Sequence, residues 1–159
     1  MPLVGRQLRI LAAVIARLIP TDEHGPGAGE ANVVHYIERA LASDYEAHLN
    51  AYSEGLERID ALSREAQGFD FAALPPDEQD QVLRVLEEGG RESDRLFFDL
   101  VLQHTKEGMF GDPAWGGNAG YVGWNLIGYP GPRHVWTAED QELDVIISPN
   151  YPPQGKDAA

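Results

Sequence analysis

The chain has 159 residues, no cysteine, and 26 acidic against 12 basic residues, for a net charge of −14. That length fits one domain with a core of ordinary size, and so acidic a chain lacks the basic footprint that nucleic acid or an anionic membrane surface requires. Without cysteine the chain cannot itself hold an iron–sulfur cluster, attach a c-type haem or form a disulfide.

In chain order, Leu8, Leu11, Ile15, Leu18 and Ile19 fall at helical spacing and predict a first helix over residues 3–19, stopped by Pro20. This segment carries Arg6, Arg9 and Arg17 and no acid. Arg17 interrupts its apolar run, no twin arginine precedes it and no A-x-A-like site follows, so it reads as a helix of the mature protein rather than a signal peptide. Its apolar residues (Val4, Leu8, Ile10, Leu11, Val14, Ile15) occupy more than one side, which suits either a partner interface or deep burial in the bundle. No apolar run reaches the ~18 residues of a membrane span.

Residues 21–29 are a loop of turn formers. A second helix is predicted over residues 30–42, with Val33, Val34, Ile37 and Leu41 inward, and a third over residues 45–66. Phe69, Phe71 and Leu74 form a connector whose side chains plug the core. Pro75 and Pro76 open a fourth helix that Gly89-Gly90 ends. Ser93 or Asp94 caps a fifth, running to about Lys106, so the core helices occupy residues 3–106. The excess acid lies between Asp22 and Asp99, on a solvated face or one that meets a basic partner.

Residues 107–136 form a loop. Within it, Glu107 to Pro132 holds eight glycines, three prolines, two tryptophans and two tyrosines. A flexible linker would lack the large rings. Glycine allows close backbone approach and the aromatics supply area to bury, so the loop is ordered and functional. Thr137 and Asp140 resemble a capping box for a short last helix within a C-terminal segment 137–159, where VIISPNYPP runs extended. The class is all-α: a compact bundle of about five helices in a single domain, with one long Gly/aromatic-rich ordered loop and a short C-terminal helix.

Chemistry within the chain is thin. Gly116, Gly117, Gly120 and Gly123 do not make a G-x-G-x-x-G between strand and helix, and no base lies between Lys106 and Arg133 to help cradle phosphate. His104 and Glu107 stand three residues apart on the fifth helix, the spacing of half a carboxylate–histidine metal site, but no second such pair exists. A helix-end histidine bonded to backbone or loop is the plainer reading. Asp22, Glu23, His24 and His35 bracket the first loop and could be drawn as a metal or acid–base site; turn and capping bonds explain them more simply. No catalytic, cofactor-binding or metal-binding residue is assigned.

The stretch LFFDLVLQHTKEGMFGDPAWGGNAGYVGWNLIGYPGP, with the earlier LIPTDEHGPGAGEANVVHYIERAL, resembles the small, third subunit of gluconate 2-dehydrogenase and its relatives. The likeness spans most of the chain and rests on spaced glycines, Asn118, Trp124 and a Gly-Tyr-Pro-Gly ending. It implies an accessory role. The large partner in that family is an FAD-carrying oxidoreductase of the glucose–methanol–choline type, in several relatives with an iron–sulfur cluster, and a multihaem cytochrome c or another carrier takes the electrons. Many small subunits carry a twin-arginine leader and escort the folded large subunit across the membrane. Here no twin arginine is present, which implies a periplasmic chain if a leader has been removed and a cytoplasmic one otherwise.

The resemblance and the aromatic loop together make Phe110, Trp115, Asn118, Tyr121, Trp124 and Tyr129 the expected partner interface, with Trp115 and Trp124 foremost. Asn118 has a plainer alternative as a left-handed turn residue. Two other functions stay open: a loop lending Asn118, Tyr121 or Trp124 to a shared substrate site, and a stand-alone helical metal- or sugar-binding module.

Overall fold

The computed structural model describes residues 2–133, 135–142 and 145–151. Among the described residues six α-helices follow one another: α1 Gly5–Leu18, α2 Val33–Leu41, α3 Leu49–Gln67, α4 Pro76–Glu88, α5 Glu92–Phe110 and the short α6 Val122–Leu126. No strand is found among the described residues, only an isolated bridge between Asp22 and Gly25. The all-α expectation holds.

Helix α5 is the hub and packs on α1, α2, α3, α4 and α6. The apolar stripe of α1 (Ile10, Leu11, Val14, Ile15) is buried inside the bundle against these neighbours, so deep burial accounts for these four, while Val4 just before the helix is 53% exposed. The basicity of α1 is also used internally. Arg6 pairs with Asp60 of α3, and Arg17 makes two bonds to Asp80 of α4 at 2.7 and 2.9 Å. The buried Asp60 also forms an ion pair with Arg64 at 3.1 Å and accepts from the Phe71 backbone N–H at 2.9 Å. Gly55 lets α3 meet α5 closely: a Cβ there would lie 2.3 Å from the Phe97 ring.

Several boundaries differ from those predicted. Helix α2 starts at Val33, after Asn32 takes a left-handed backbone with φ 57°. A 3-10 turn, Glu46–His48, leads into α3. In the connector, Phe71 and Leu74 are buried but Phe69 is 66% exposed. Asp60 accepts from the Phe71 N–H and holds the buried start of the 3-10 turn Phe71–Ala73, while Ser63 Oγ donates to the carbonyl of the exposed Phe69. Helix α5 runs past Lys106 to Phe110 because the loop satisfies its final carbonyls. The expected last helix is a single 3-10 turn, Glu139–Gln141, in which Thr137 and Asp140 do exchange the reciprocal bonds of a capping box. The tail reaches back to the loop: the Asn150 N–H donates to the Pro130 carbonyl at 2.9 Å, and Pro152 and Pro153 of its extended end lie outside the described residues.

Candidate interaction site: the aromatic loop and the carboxylate beneath it

The last carbonyls of a helix have no intrahelical donor. At the end of α5 the loop supplies the donors. The Asn118 N–H donates to the Gly108 carbonyl at 2.7 Å, Asn118 Nδ2 to the Gly111 carbonyl at 2.9 Å, and Trp124 Nε1 to the Phe110 carbonyl at 2.7 Å. Asn118 Oδ1 in turn accepts from the Gly123 N–H at 2.8 Å, which starts α6. Such docking requires bare backbone. A Cβ at Gly117 would stand 2.2 Å from the Gly108 oxygen, and one at Gly123 would stand 1.8 Å from the Met109 oxygen. Gly117 and Gly123 therefore serve helix–loop contact.

The six residues expected at an interface separate into two groups. Asn118 and Trp124 are buried, and their polar atoms are engaged within the loop. Phe110 is the last residue of α5 rather than a loop residue, and it is half-buried. Tyr121 is also half-buried; it sits at φ 60°, rare for a bulky side chain, and stacks on Tyr151 at 4.4 Å and near Trp124 at 5.6 Å. Trp115 and Tyr129 face outward, Trp115 at 62% exposure. Leu126 and Ile127, which the sequence did not single out, join them on the outer side of the loop and of α6.

A polar cluster that sequence reasoning only half found lies beside the loop. The Glu107 carboxylate accepts from Tyr36 Oη at 2.9 Å, Tyr45 Oη at 3.1 Å and Gln103 Nε2 at 2.9 Å. One turn earlier, His104 Nδ1 lies 2.9 Å from Tyr52 Oη, and the His104 ring stacks on Tyr45 at 4.4 Å. His48 meets both rings edge-on. The i, i+3 pair on α5 thus faces a ladder of tyrosines. Tyr45, His48 and Tyr52, spaced by three and four residues, were the available signal for it. Among the described residues no three metal-ligating side chains gather to hold an ion.

Burial pushes the Glu107 carboxyl up, but the bonds from Gln103, Tyr36 and Tyr45 and the nearby His104 outweigh it and hold the group below its ordinary value. Burial pushes His104 down against the opposing pull of Glu107. Burial, reinforced by the charge of Glu107, pushes Tyr36 and Tyr52 well above the ordinary phenol range. The arrangement is an anionic carboxylate held by neutral phenols at ordinary pH.

At the first loop, Asp22 Oδ1 accepts from the His24 N–H at 2.8 Å, and Thr21 Oγ1 accepts from the Gly27 N–H at 3.1 Å. These are the turn bonds of the plainer reading, and the His24 and Glu23 side chains are exposed.

Two cavities bear on the site. One of about 270 Å³ lies against the loop, lined by Tyr36, Arg39, Ala40, Ser43, Asp44, Tyr45 and Trp115. A larger one of about 530 Å³ lies between α3 and α5, lined by Ala51, Leu86, Leu96, Phe97 and Leu100 with Arg58, Arg91 and Asp94 at its polar side. No helix among the described residues is long and apolar enough to cross a membrane.

A family model described as gluconate 2-dehydrogenase subunit 3 matches residues 5–131, a span that contains every helix from α1 to α6 and most of the loop docked on α5. Searches of curated proteins and of solved structures each returned no match. With four fifths of its length under that match, the chain belongs to the gluconate 2-dehydrogenase subunit 3 family.

Proposed function

We propose that this chain is the non-catalytic small subunit of an FAD-dependent sugar or polyol dehydrogenase, and that it binds and stabilises the large flavin-carrying subunit. The observation that carries the reading is the construction of the loop. Asn118 and Trp124 make it rigid from within, while Trp115, Leu126, Ile127 and Tyr129 are left facing out on that rigid base. Preorganised aromatic and aliphatic anchors are what a stable protein interface uses, because little ordering entropy is lost on docking. The large subunit, of glucose–methanol–choline type, holds the FAD and in some assemblies an iron–sulfur cluster. A cytochrome c or a similar carrier receives the electrons. Where the large subunit works in the periplasm, this chain accompanies it there.

Sharing of the loop with the partner's substrate site is the weaker reading. Of Asn118, Tyr121 and Trp124, the first and last have their polar atoms engaged inside the chain.

Co-expression with a flavin-carrying dehydrogenase subunit of glucose–methanol–choline type from the same source, followed by affinity capture on this chain, tests the proposal. A yellow one-to-one complex that reduces an artificial acceptor with a sugar is the expected result, with no flavin on the small chain alone. A colourless chain that stays monomeric beside that partner overturns it.

A further inference from the structure

The cavity beside Trp115 differs from the rest of the loop surface in chemistry. At about 270 Å³ it is below the roughly 300 Å³ at which small-molecule sites begin, and it has room for one long side chain. Trp115 forms one wall with its ring largely exposed, and that ring stacks on no other aromatic ring among the described residues. Tyr36 and Tyr45 also line the cavity, and both donate their hydroxyls to the Glu107 carboxylate. That carboxylate makes no ion pair with Lys or Arg among the described residues; its hydrogen-bond donors are all neutral. Asp44, exposed, adds a second negative charge at the rim, close enough to Tyr45 to bear on its phenol. The cation in the lining, Arg39, is turned onto the loop: its Nη1 donates to the Ala114 carbonyl at 3.2 Å, and its side chain packs on Gly116.

Aromatic faces backed by carboxylates attract cations, tryptophan most strongly. The single charge of Arg39 offsets only one of the two carboxylates, so an incoming carboxylate would still meet a net like charge from Asp44 and Glu107, and a neutral apolar side chain would leave the Asp44 charge desolvated at its edge. The net charge of −14 favours a basic partner surface at long range. Building on the docking role proposed above, we infer that this cavity receives a lysine or arginine side chain of the dehydrogenase subunit, seated on the Trp115 ring and paired with Asp44.

The test measures affinity of the intact chain for the co-expressed dehydrogenase subunit, in wild type and in Trp115→Ala, Asp44→Asn and Ile127→Ser, with thermal melts confirming that each variant is folded. Trp115→Ala is expected to weaken binding about tenfold or more, as loss of an interface anchor does. Asp44→Asn is expected to weaken it about threefold at low salt, with the difference from wild type vanishing near 1 M salt, where the screening length falls to about 3 Å. Loss on Trp115→Ala with no effect of Asp44→Asn at any salt means a neutral occupant and overturns the inference. Loss on Ile127→Ser alone overturns it too, by placing the cavity outside the interface, while the docking role stands. Failure of the wild-type chain to bind overturns both.

Discussion

Trp124 Nε1 donates to the Phe110 carbonyl oxygen across 2.7 Å, joining the short helix α6 to the final turn of α5. The bond does two things. It satisfies a carbonyl that the end of α5 would otherwise leave without a partner, and it buries one of the loop's indole rings. The aromatic loop is therefore a structural extension of the hub helix, and its outer face inherits the rigidity of the bundle.

Trp124→Phe keeps a ring but removes the donor, and is expected to lower stability by about 1–2 kcal/mol. Trp124→Ala also leaves a cavity and is expected to cost about 3–5 kcal/mol. Urea denaturation of both variants measures the difference; a Trp124→Phe chain as stable as the wild type would show that the bond to Phe110 contributes nothing beyond packing.

Gly117→Ala places a methyl group 2.2 Å from the Gly108 carbonyl oxygen, a backbone atom that cannot step aside as a flexible side chain would. The expected loss is about 1–3 kcal/mol or more, with the loop lifted off α5. Gly29→Ala meets nothing within 4 Å and is expected to stay within about 0.5 kcal/mol of wild type. A Gly117→Ala chain that melts with the wild type would mean that the loop is not seated on the helix.

Asp60 is fully buried, between Arg6, Arg64 and the Phe71 N–H. Asp60→Ala leaves that N–H unpaired and releases both arginines, whose exposure moderates the electrostatic part, for an expected loss of about 2–3 kcal/mol. Asp60→Asn retains an acceptor for Phe71 and is expected to lose about half as much. Denaturation midpoints decide this; a neutral Asp60→Ala would remove the clamp between α1 and α3 from the description.

Acid is expected to destabilise the chain in two stages. The folded His104 titrates below its ordinary 6.5, so burying it neutral adds stability that is present above that value and is lost as pH falls from there toward the folded pKa. Glu107, Asp60 and Asp80 likewise titrate below their ordinary 4.5, 3.8 and 3.8, and their contributions fade as pH falls further, through those folded values. Stability measured by urea denaturation across this range should decline first below about pH 6.5 and again below about pH 4.5. His104→Gln is expected to abolish the first stage and spare the second. A stability profile in which the first stage survives that substitution would assign it to another group.

The sequence by itself determined the helical class, the place of most helices and the presence of an ordered aromatic loop. Those follow from local rules: apolar spacing, proline stops, glycine ends and rings too large to leave in solvent. The spacing of His104 and Glu107 also put both on one face of α5. Tertiary structure alone decided what that face meets. Tyr36, Tyr45 and Tyr52 come to it from other elements, 71, 62 and 52 residues away along the chain. It likewise decided that α1 buries its apolar surplus inward, because Arg6 and Arg17 find their acids on α3 and α4. Trp115 and Trp124 look alike in sequence, as aromatics among glycines. Only the unsatisfied carbonyls at the end of α5 draw one of them inward and leave the other exposed, because a buried polar group must find its partner wherever the fold supplies one.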